Sequence, residues 1–338
     1  MGADGGQPAW AALAPQPLVT IVTPSLNQRQ FIDATIRSVL AQDYPAIEYI
    51  VMDGGSSDGT LDILRRYDGR LTWVSAPDRG QADAINRGWR RGGGEILAWL
   101  NSDDVYLPGA VSAAVAGLRA HPAAVGVYGD CDYIDEQGRL IDMHPAASFD
   151  YAELVRTVLT PIPQPTAFLR RAAVEAIDYL DDSLSMVLDL DLWLRVGLLG
   201  PLAYLPRRLA RFREHGSSKT VARQAQAAPE ILAVYRRLFA RTDLPPDVRA
   251  LETEAISGAL ILAGNSLLMA GQLSEARRYA LAGLRRASRR SRLTALKIVL
   301  ISALGQSGLT TYLAGRHRLK LALRGLALRR RQAGPPAS

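Results

Sequence analysis

The chain has 338 residues, 48% apolar and 22% charged, with no low-complexity block, the balance of an ordinary soluble globular protein with one large core or two domains. Its single cysteine, Cys131, excludes a disulfide framework and a Cys-rich zinc site and suits a reducing compartment. The net charge of +7 divides unevenly: residues 1–269 carry 25 Lys/Arg against 32 Asp/Glu, and residues 270–338 carry 15 against Glu275 alone, which predicts an acidic body and a basic tail that meets something anionic.

The first 17 residues, rich in Gly, Ala and Pro, lack both a basic stretch and an apolar core, so they are expected to be a disordered lead-in rather than an export signal. Residues 18–22 (LVTIV) read as a buried strand ending at Pro24. Residues 31–40 have helical apolar spacing, and 47–52 form a second buried strand closed by DGGSSDGT. A helix begins at Leu61, a third strand spans 71–74, a helix 82–89 and a fourth strand 96–100. This alternation predicts a mostly parallel α/β sheet flanked by helices, in which ligands collect outside the carboxyl ends of strands. Polar turns follow all four strands, at Thr23-Ser25-Asn27, Asp53–Asp58, Asp78–Asp83 and Asn101–Asp104, and predict one shared site.

Further on, 111–120 reads as a small Ala-rich helix, 124–128 as a strand, GDCDYIDEQGRLI as a hairpin and FDYAELV as the start of a helix. TPIPQPTAFLRR is a Pro-punctuated loop leading into a short strand, and MVLDLDLWLRVGLLG a helix charged at Asp189, Asp191 and Arg195. After RFREHGSSKT the chain reads as helical to its end, with a boundary near residue 222.

Asp103 and Asp104 stand side by side after the fourth strand, in LNSDDVYLPG. Helix capping is one reading, but Pro108 at the first helical position makes Leu107 the cap and leaves both carboxylates too early. A hard divalent cation, Mg²⁺ or Mn²⁺, is the other, because it takes one or two carboxylates together with substrate phosphates. Asp53, in VMDGGSSDGT, is either a turn residue or an acceptor for a base N–H or a ribose hydroxyl. Neither G-x-G-x-x-G after the first strand nor a P-loop occurs, which removes the main support for dinucleotide and P-loop readings.

VTIVTPSLNQRQFIDATIRSVLAQDYPAIEYIVMDGGSSDGT, followed in order by DRGQADAINRG and LNSDDVYLPG, resembles the start of a family 2 glycosyltransferase of the GT-A fold. DLDLWLRV and FREHGSSKT resemble the acceptor half of the same domain. The resemblance covers about residues 18–220. It implies a lead-in at 1–17, a catalytic domain at 18–222 (donor-nucleotide half 18–110, acceptor half 111–222) and an all-α basic region at 223–338. It also implies a nucleotide-diphosphate sugar donor, UDP-sugar favoured, bound across the four strand ends. Thr23, Pro24, Ser25 and Asp53 would hold the nucleoside with Asn27 nearby. Arg79, Gln81 and Asp83 would line the nucleotide pocket, with Asp103 on the ribose and Asp104 on the metal. Asn101 stands where relatives often have an Asp.

The family inverts the anomeric carbon in one displacement, so a single general base suffices. Asp189 and Asp191 lie about 200° apart around a helix and cannot share a face. Asp189 matches the family's base, although Leu188 replaces the usual preceding Glu. Asp191 is the alternative, with Arg195 at i+4 as a partner for one of the pair. His215 falls where relatives carry a metal-side His. Arg211 and Arg213 either neutralise phosphate or lie on the surface. Gln164 and Trp193 fall where an acceptor sugar would lie, with core packing as the other reading of Trp193.

For residues 270–338, three readings stand: a basic surface on anionic lipid, a nucleic-acid contact without any recognisable module, or a solvated bundle with a disordered end. The first, joined to the enzyme class, places the protein in the cytoplasm, peripheral on the inner face of the cell membrane, with a sugar or lipid-linked sugar as acceptor and no nucleic acid. A nucleotidyltransferase is the enzymatic alternative, weakened because TPSLNQRQ has neither Lys nor Gly. A non-catalytic lipid-binding scaffold is the other.

Overall fold

A computed structural model of the chain describes residue 10 and residues 12–158, 160–216, 224–287 and 289–315. Residues 1–9 and 11 of the expected lead-in at 1–17, the expected boundary at 222 and the chain end from 316 lie outside the described residues. The chain divides into two units, the first running to His215 without residues 156–158, the second holding 156–158 and residues from 216 on.

The first unit is built on a nine-stranded sheet. β1 (Val19–Ser25), β2 (Ile47–Asp53), β3 (Thr72–Ser75) and β4 (Ile96–Trp99) are parallel in the order β3-β2-β1-β4. β1 is buried at all seven positions, as expected of a β-branched run covered on both faces. Helices α1 (Ile32–Leu40), α2 (Thr60–Arg65) and α3 (Gln81–Arg91) make the crossovers, α1 burying Ile32, Thr35, Ile36 and Val39.

The remaining elements are β5 (Val105–Tyr106), α4 (Ala110–Ala120), β6 (Gly126–Ile134), β7 (Leu140–His144), α5 (Tyr151–Thr157), β8 (Phe168–Arg170), α6 (Arg171–Ala176), α7 (Leu188–Val196) and β9 (Leu202–Arg213). They extend the sheet as β4-β8-β6-β9-β5, with β7 on β6. Only β6·β9 is parallel here, while β4·β8, β6·β8, β6·β7 and β5·β9 are antiparallel. The sheet is therefore mixed rather than mostly parallel.

Three local expectations change. β9 was not foreseen, because LAYLPRRLARFR has arginines and a proline where a strand pattern would alternate. Pro206 lies in the register shift where Leu205 pairs with Gly129 and Arg208 with Asp130, so its missing N–H interrupts no regular ladder. β5 is likewise too short to show a period. Pro108 does not start a helix: Gly109, at φ +77°, is the N-cap of α4, and Leu107 donates its N–H to the Leu209 carbonyl instead.

Where α3 crosses β1, a Cβ on Gly88 would lie 2.6 Å from a Val22 methyl and 3.2 Å from Met52 Cγ. Arg170 is fully buried and gives its guanidinium to three carbonyls, of Ala124, Trp10 and Leu118, at 2.6–2.8 Å.

The second unit is helical: α8 (Gln224–Ala240), α9 (Pro246–Arg249), α10 (Glu252–Met269), α11 (Leu273–Leu284), α12 (Arg289–Ala303), then helix at 305–315. α10 buries the small residues Ala255, Ser257, Gly258, Ala259, Ala263 and Gly264, and Ser257 Oγ donates to the Gly283 carbonyl, so α10 and α11 approach closely. No described helix is long and apolar enough to cross a membrane.

Gly88→Ala should destabilise the protein by about 1–3 kcal/mol through overpacking against Val22, read as a lower melting temperature with unchanged far-UV circular dichroism.

Candidate active site

β1 and β2 end in register, Ser25 beside Asp53. Asp53, 2% exposed, accepts hydrogen bonds on Oδ2 from the N–H groups of Gly55 and Ser56 and from Ser75 Oγ, and on Oδ1 from Ser56 Oγ. Its carboxylate shapes the DGGSS turn. Ser25 Oγ is buried without a hydrogen-bond partner, an orphaned hydroxyl at the strand end. Pro24 is buried beside it, and Leu26, which the sequence reading passed over, is 55% exposed.

Asn27 takes a left-handed φ of 53°, accepts the Ser57 N–H at 2.9 Å and donates its own N–H to Ser56 Oγ at 2.7 Å. Asn27 thus ties the first polar turn to the second. Thr23 does not reach the site: its hydroxyl is buried and pairs with the Tyr49 hydroxyl at 3.0 Å.

After β3, Arg79 donates to Asp83 at 2.9 Å and to Asp182 at 2.5 Å, with its side chain 72% exposed. Burial raises the Asp83 carboxyl, but hydrogen bonds and charge from Arg79 outweigh it and hold the group below its ordinary range. Asp182 is a loop residue about 100 positions away, and nothing local in the sequence announces the pairing.

The acidic turn after β4 is organised by Asn101. Its Oδ1 accepts from Gln81 Nε2 at 2.8 Å, while its Nδ2 donates to Gln164 Oε1 at 3.1 Å and to Asp104 Oδ2 at 3.2 Å. Gln164 Nε2 in turn holds the Trp99 carbonyl at 2.9 Å. Gln81 and Gln164 therefore brace the turn.

Asp104, expected as the metal ligand, has no exposed surface, and the Arg213 N–H occupies its other oxygen at 2.9 Å. Burial, and then the neighbouring Asp103 charge, push its carboxyl well above the ordinary range. The accessible carboxylate is Asp103, whose Oδ2 lies 2.9 Å from His215 Nε2 and whose side chain is 22% exposed. The two aspartates thus occupy positions opposite to those expected, with Asp103 rather than Asp104 on the accessible side. Asp104 faces inward, where the Asn101 amide and the Arg213 N–H meet it, and Asp103 faces the His215 ring.

Phe31 packs on His215, ring centroids 4.6 Å apart, and the Arg213 guanidinium lies 5.0 Å above the Phe31 ring. Arg213 also donates to the carbonyls of Asp103, Asp135 and Glu136, which makes it a brace rather than a phosphate contact. Arg211 keeps a buried Nε without a hydrogen-bond partner. Among the described residues no three His, Cys, Asp or Glu side chains converge as a metal-holding group, and Asp103 and His215 form a carboxylate–imidazole pair.

On α7 the two carboxylates separate as helical geometry requires. Asp191, 4% exposed, is paired with Arg195 at 2.6 Å. Asp189 keeps some solvent access, accepts the Leu190 N–H at 2.9 Å, and is raised by desolvation above the ordinary carboxylate range. Trp193, expected at an acceptor site, is fully buried and stacks on Trp99 at 6.3 Å, with Trp89 edge-on to Trp99 at 5.5 Å. It is core.

Residues 20–178 match the family described as Glycosyl transferase family 2. A putative teichuronic acid biosynthesis glycosyltransferase, TuaG of Bacillus subtilis, is 42% identical over 95 residues, 27% of this chain and 38% of that protein. The shared part is therefore well under two thirds of that relative's length. In fold, the chain is similar to S. aureus TarS 1–349 in complex with UDP-GlcNAc, with a TM-score of 0.62, 15% identity and coverage of 95% and 93% of the two chains. A mannosyltransferase from Pyrobaculum calidifontis in complex with GDP-Man and Mn²⁺ gives 0.58, 18%, 93% and 89%.

Asp104→Ala should lower the melting temperature without any ligand, by the about 1–3 kcal/mol that unpaired buried donors at Arg213 and Asn101 cost. Asp103→Ala, at a position 22% exposed, should melt closer to wild type than Asp104→Ala. Residues 20–178 thus carry the match to Glycosyl transferase family 2, and the likeness to the two solved structures is one of fold.

Proposed function

We propose that this family 2 glycosyltransferase transfers a sugar, with inversion, from a nucleotide-diphosphate donor, UDP-sugar favoured, to a hydroxyl acceptor in polysaccharide or glycoconjugate assembly. One observation carries the reading: the unpartnered Ser25 hydroxyl ends β1, and the partly exposed Asp103, backed by the buried His215 imidazole, follows the neighbouring parallel strand β4 at the same carboxyl end of the sheet. The nucleotide sugars in the TarS and P. calidifontis structures support the donor class.

Asp103 and His215 would hold the divalent cation, Mg²⁺ or Mn²⁺. A carboxylate and an imidazole are a compatible but incomplete set, of the kind that substrate phosphate oxygens complete. When bound, the ion supplies positive charge to the departing diphosphate.

The chain's own residues do the rest. Ser25 and the DGGSS turn shaped by Asp53 receive the nucleoside, with Leu26 offering an apolar surface beside them. Arg79, Gln81 and Asp83 shape the pocket wall, and Asn101 holds the acidic turn in place. Asp189 accepts the proton of the acceptor hydroxyl as its oxygen bonds to the anomeric carbon and the bond to diphosphate breaks through an oxocarbenium-like state. Asp191, ion-paired with Arg195, is the alternative base. Gln164 and Arg211 remain on the acceptor side. The reading places the enzyme in the cytoplasm, peripheral on the inner membrane face, where the basic residues 270–338 meet anionic lipid and a lipid-linked acceptor.

A panel of nucleotide sugars with Mn²⁺ or Mg²⁺ should include one that raises the melting temperature, by about 2.7 kcal/mol at 100 times its dissociation constant. No stabilisation by any nucleotide sugar in the presence of metal would overturn the reading. Asp103→Asn and His215→Ala should each remove the metal-dependent part of that stabilisation. Asp189→Asn should lower kcat by about 10²–10⁴-fold while donor stabilisation persists. Because Asp189 must be deprotonated to act and its carboxyl is raised, kcat/KM should fall with decreasing pH at a value above the ordinary carboxylate range, and that limb should vanish in Asp189→Asn.

A further inference from the structure

The helical unit carries an apolar row that its own bundle leaves uncovered. α12 turns Ala295, Ile298 and Ile301 inward, none more than 7% exposed. On its other side Leu293, Leu296 and Leu300 are 71%, 52% and 62% exposed, and Leu304 continues the spacing at 62%. At 100° per residue these four leucines fall within an arc of about 80°. Exposed Lys297 borders the arc on one side and exposed Arg292 on the other, with the Lys297 ammonium 5.3 Å over the Tyr312 ring.

Leu281 on α11, 48% exposed, lies one turn from exposed Arg277 and one turn from exposed Arg285. Six of the nine large apolar side chains exposed among the described residues fall between positions 281 and 313. Scattered single leucines are ordinary on a protein surface, but a row of them with a cationic border marks a contact.

Charge identifies what makes that contact. Residues 276–338 contain no Asp or Glu, and 316–338 add seven more Lys/Arg. Pairing with a second copy through the same face would set Arg292 and Lys297 against themselves with no carboxylate to relieve them. A spanning helix is not available among the described residues. We infer that this face lies in the headgroup region of an anionic bilayer, with Leu293, Leu296, Leu300 and Leu304 seated at the acyl boundary and Arg292 and Lys297 at the level of the lipid phosphates. The inference refines the membrane placement proposed above and is independent of the transfer chemistry, since binding is read without donor or acceptor.

The test is cosedimentation of the full chain with vesicles of phosphatidylcholine alone or with about a third phosphatidylserine, at low and high salt. Wild type should bind the anionic vesicles, bind the neutral ones far more weakly and release as salt rises. Arg292→Gln with Lys297→Gln should weaken binding on the order of 20-fold, about fivefold per charge removed. Leu296→Ser with Leu300→Ser should weaken it on the order of 30-fold or more, with melting temperature and nucleotide stabilisation unchanged because both side chains are already exposed. Binding of the double leucine variant equal to wild type, or no binding of wild type to anionic vesicles, overturns the inference. So does a wild-type dimer in light scattering that the leucine variant abolishes, which would make a second copy the occupant.

Discussion

A carboxylate withdrawn from water has to be held by the protein, and the carboxyl end of the sheet in the first unit depends on how Asp104 is held. Asn101 and the Arg213 backbone are its donors, and both come at a structural condition. Asn101 can face Asp104 only because Gln81 and Gln164 orient its amide, which engages the start of α3 and the loop before β8. The Arg213 N–H is brought there by β9, which passes β5 at Ala210 and Arg211 and runs on beside β6 to Arg213. One buried anion thus joins the acidic turn to segments far away in sequence. An unmet donor or acceptor there would cost on the order of a whole hydrogen bond, so the network forms together or not at all.

The exposed chemistry follows from that arrangement. With Asp104 turned inward, its neighbour Asp103 faces outward, and the strand whose N–H satisfies Asp104 leads two residues later to His215. Phe31 packs on the imidazole, and the Arg213 guanidinium lies over the Phe31 ring. Helix α7 makes the same kind of division: Arg195 neutralises one carboxylate, and the other is left in a desolvated setting that favours proton uptake. Trp193, between them and the core, contributes packing against Trp99 rather than a sugar platform.

Much of this was legible in the residues. The β-branched runs at 18–22 and 47–52, the helical spacing at 31–40 and the hairpin at GDCDYIDEQGRLI rest on local periodicity, and they formed as read. The i+4 relation of Asp191 and Arg195 is also a local fact, and the ion pair formed. What failed was whatever depended on partners. β9 has no strand-like pattern because the β6 ladder, not its own alternation, holds it. Pro108 looked like a helix start, yet the adjacent Gly109 supplied the left-handed turn. Leu26 attracted no attention, since exposure cannot be read from a leucine's identity.

The composition and order of residues determined the alternating first half, the polar turns after its strands, and a basic stretch at 270–338 whose one acid is Glu275. Tertiary structure decided which of two adjacent aspartates faces solvent, which of two helical aspartates is neutralised, that Trp193 and Thr23 serve the core, and which leucines of α12 stay bare. The reason is common to all four. Periodicity is set by the chain's own geometry, whereas burial and hydrogen-bond partners are set by segments tens to a hundred residues away, which no local pattern records.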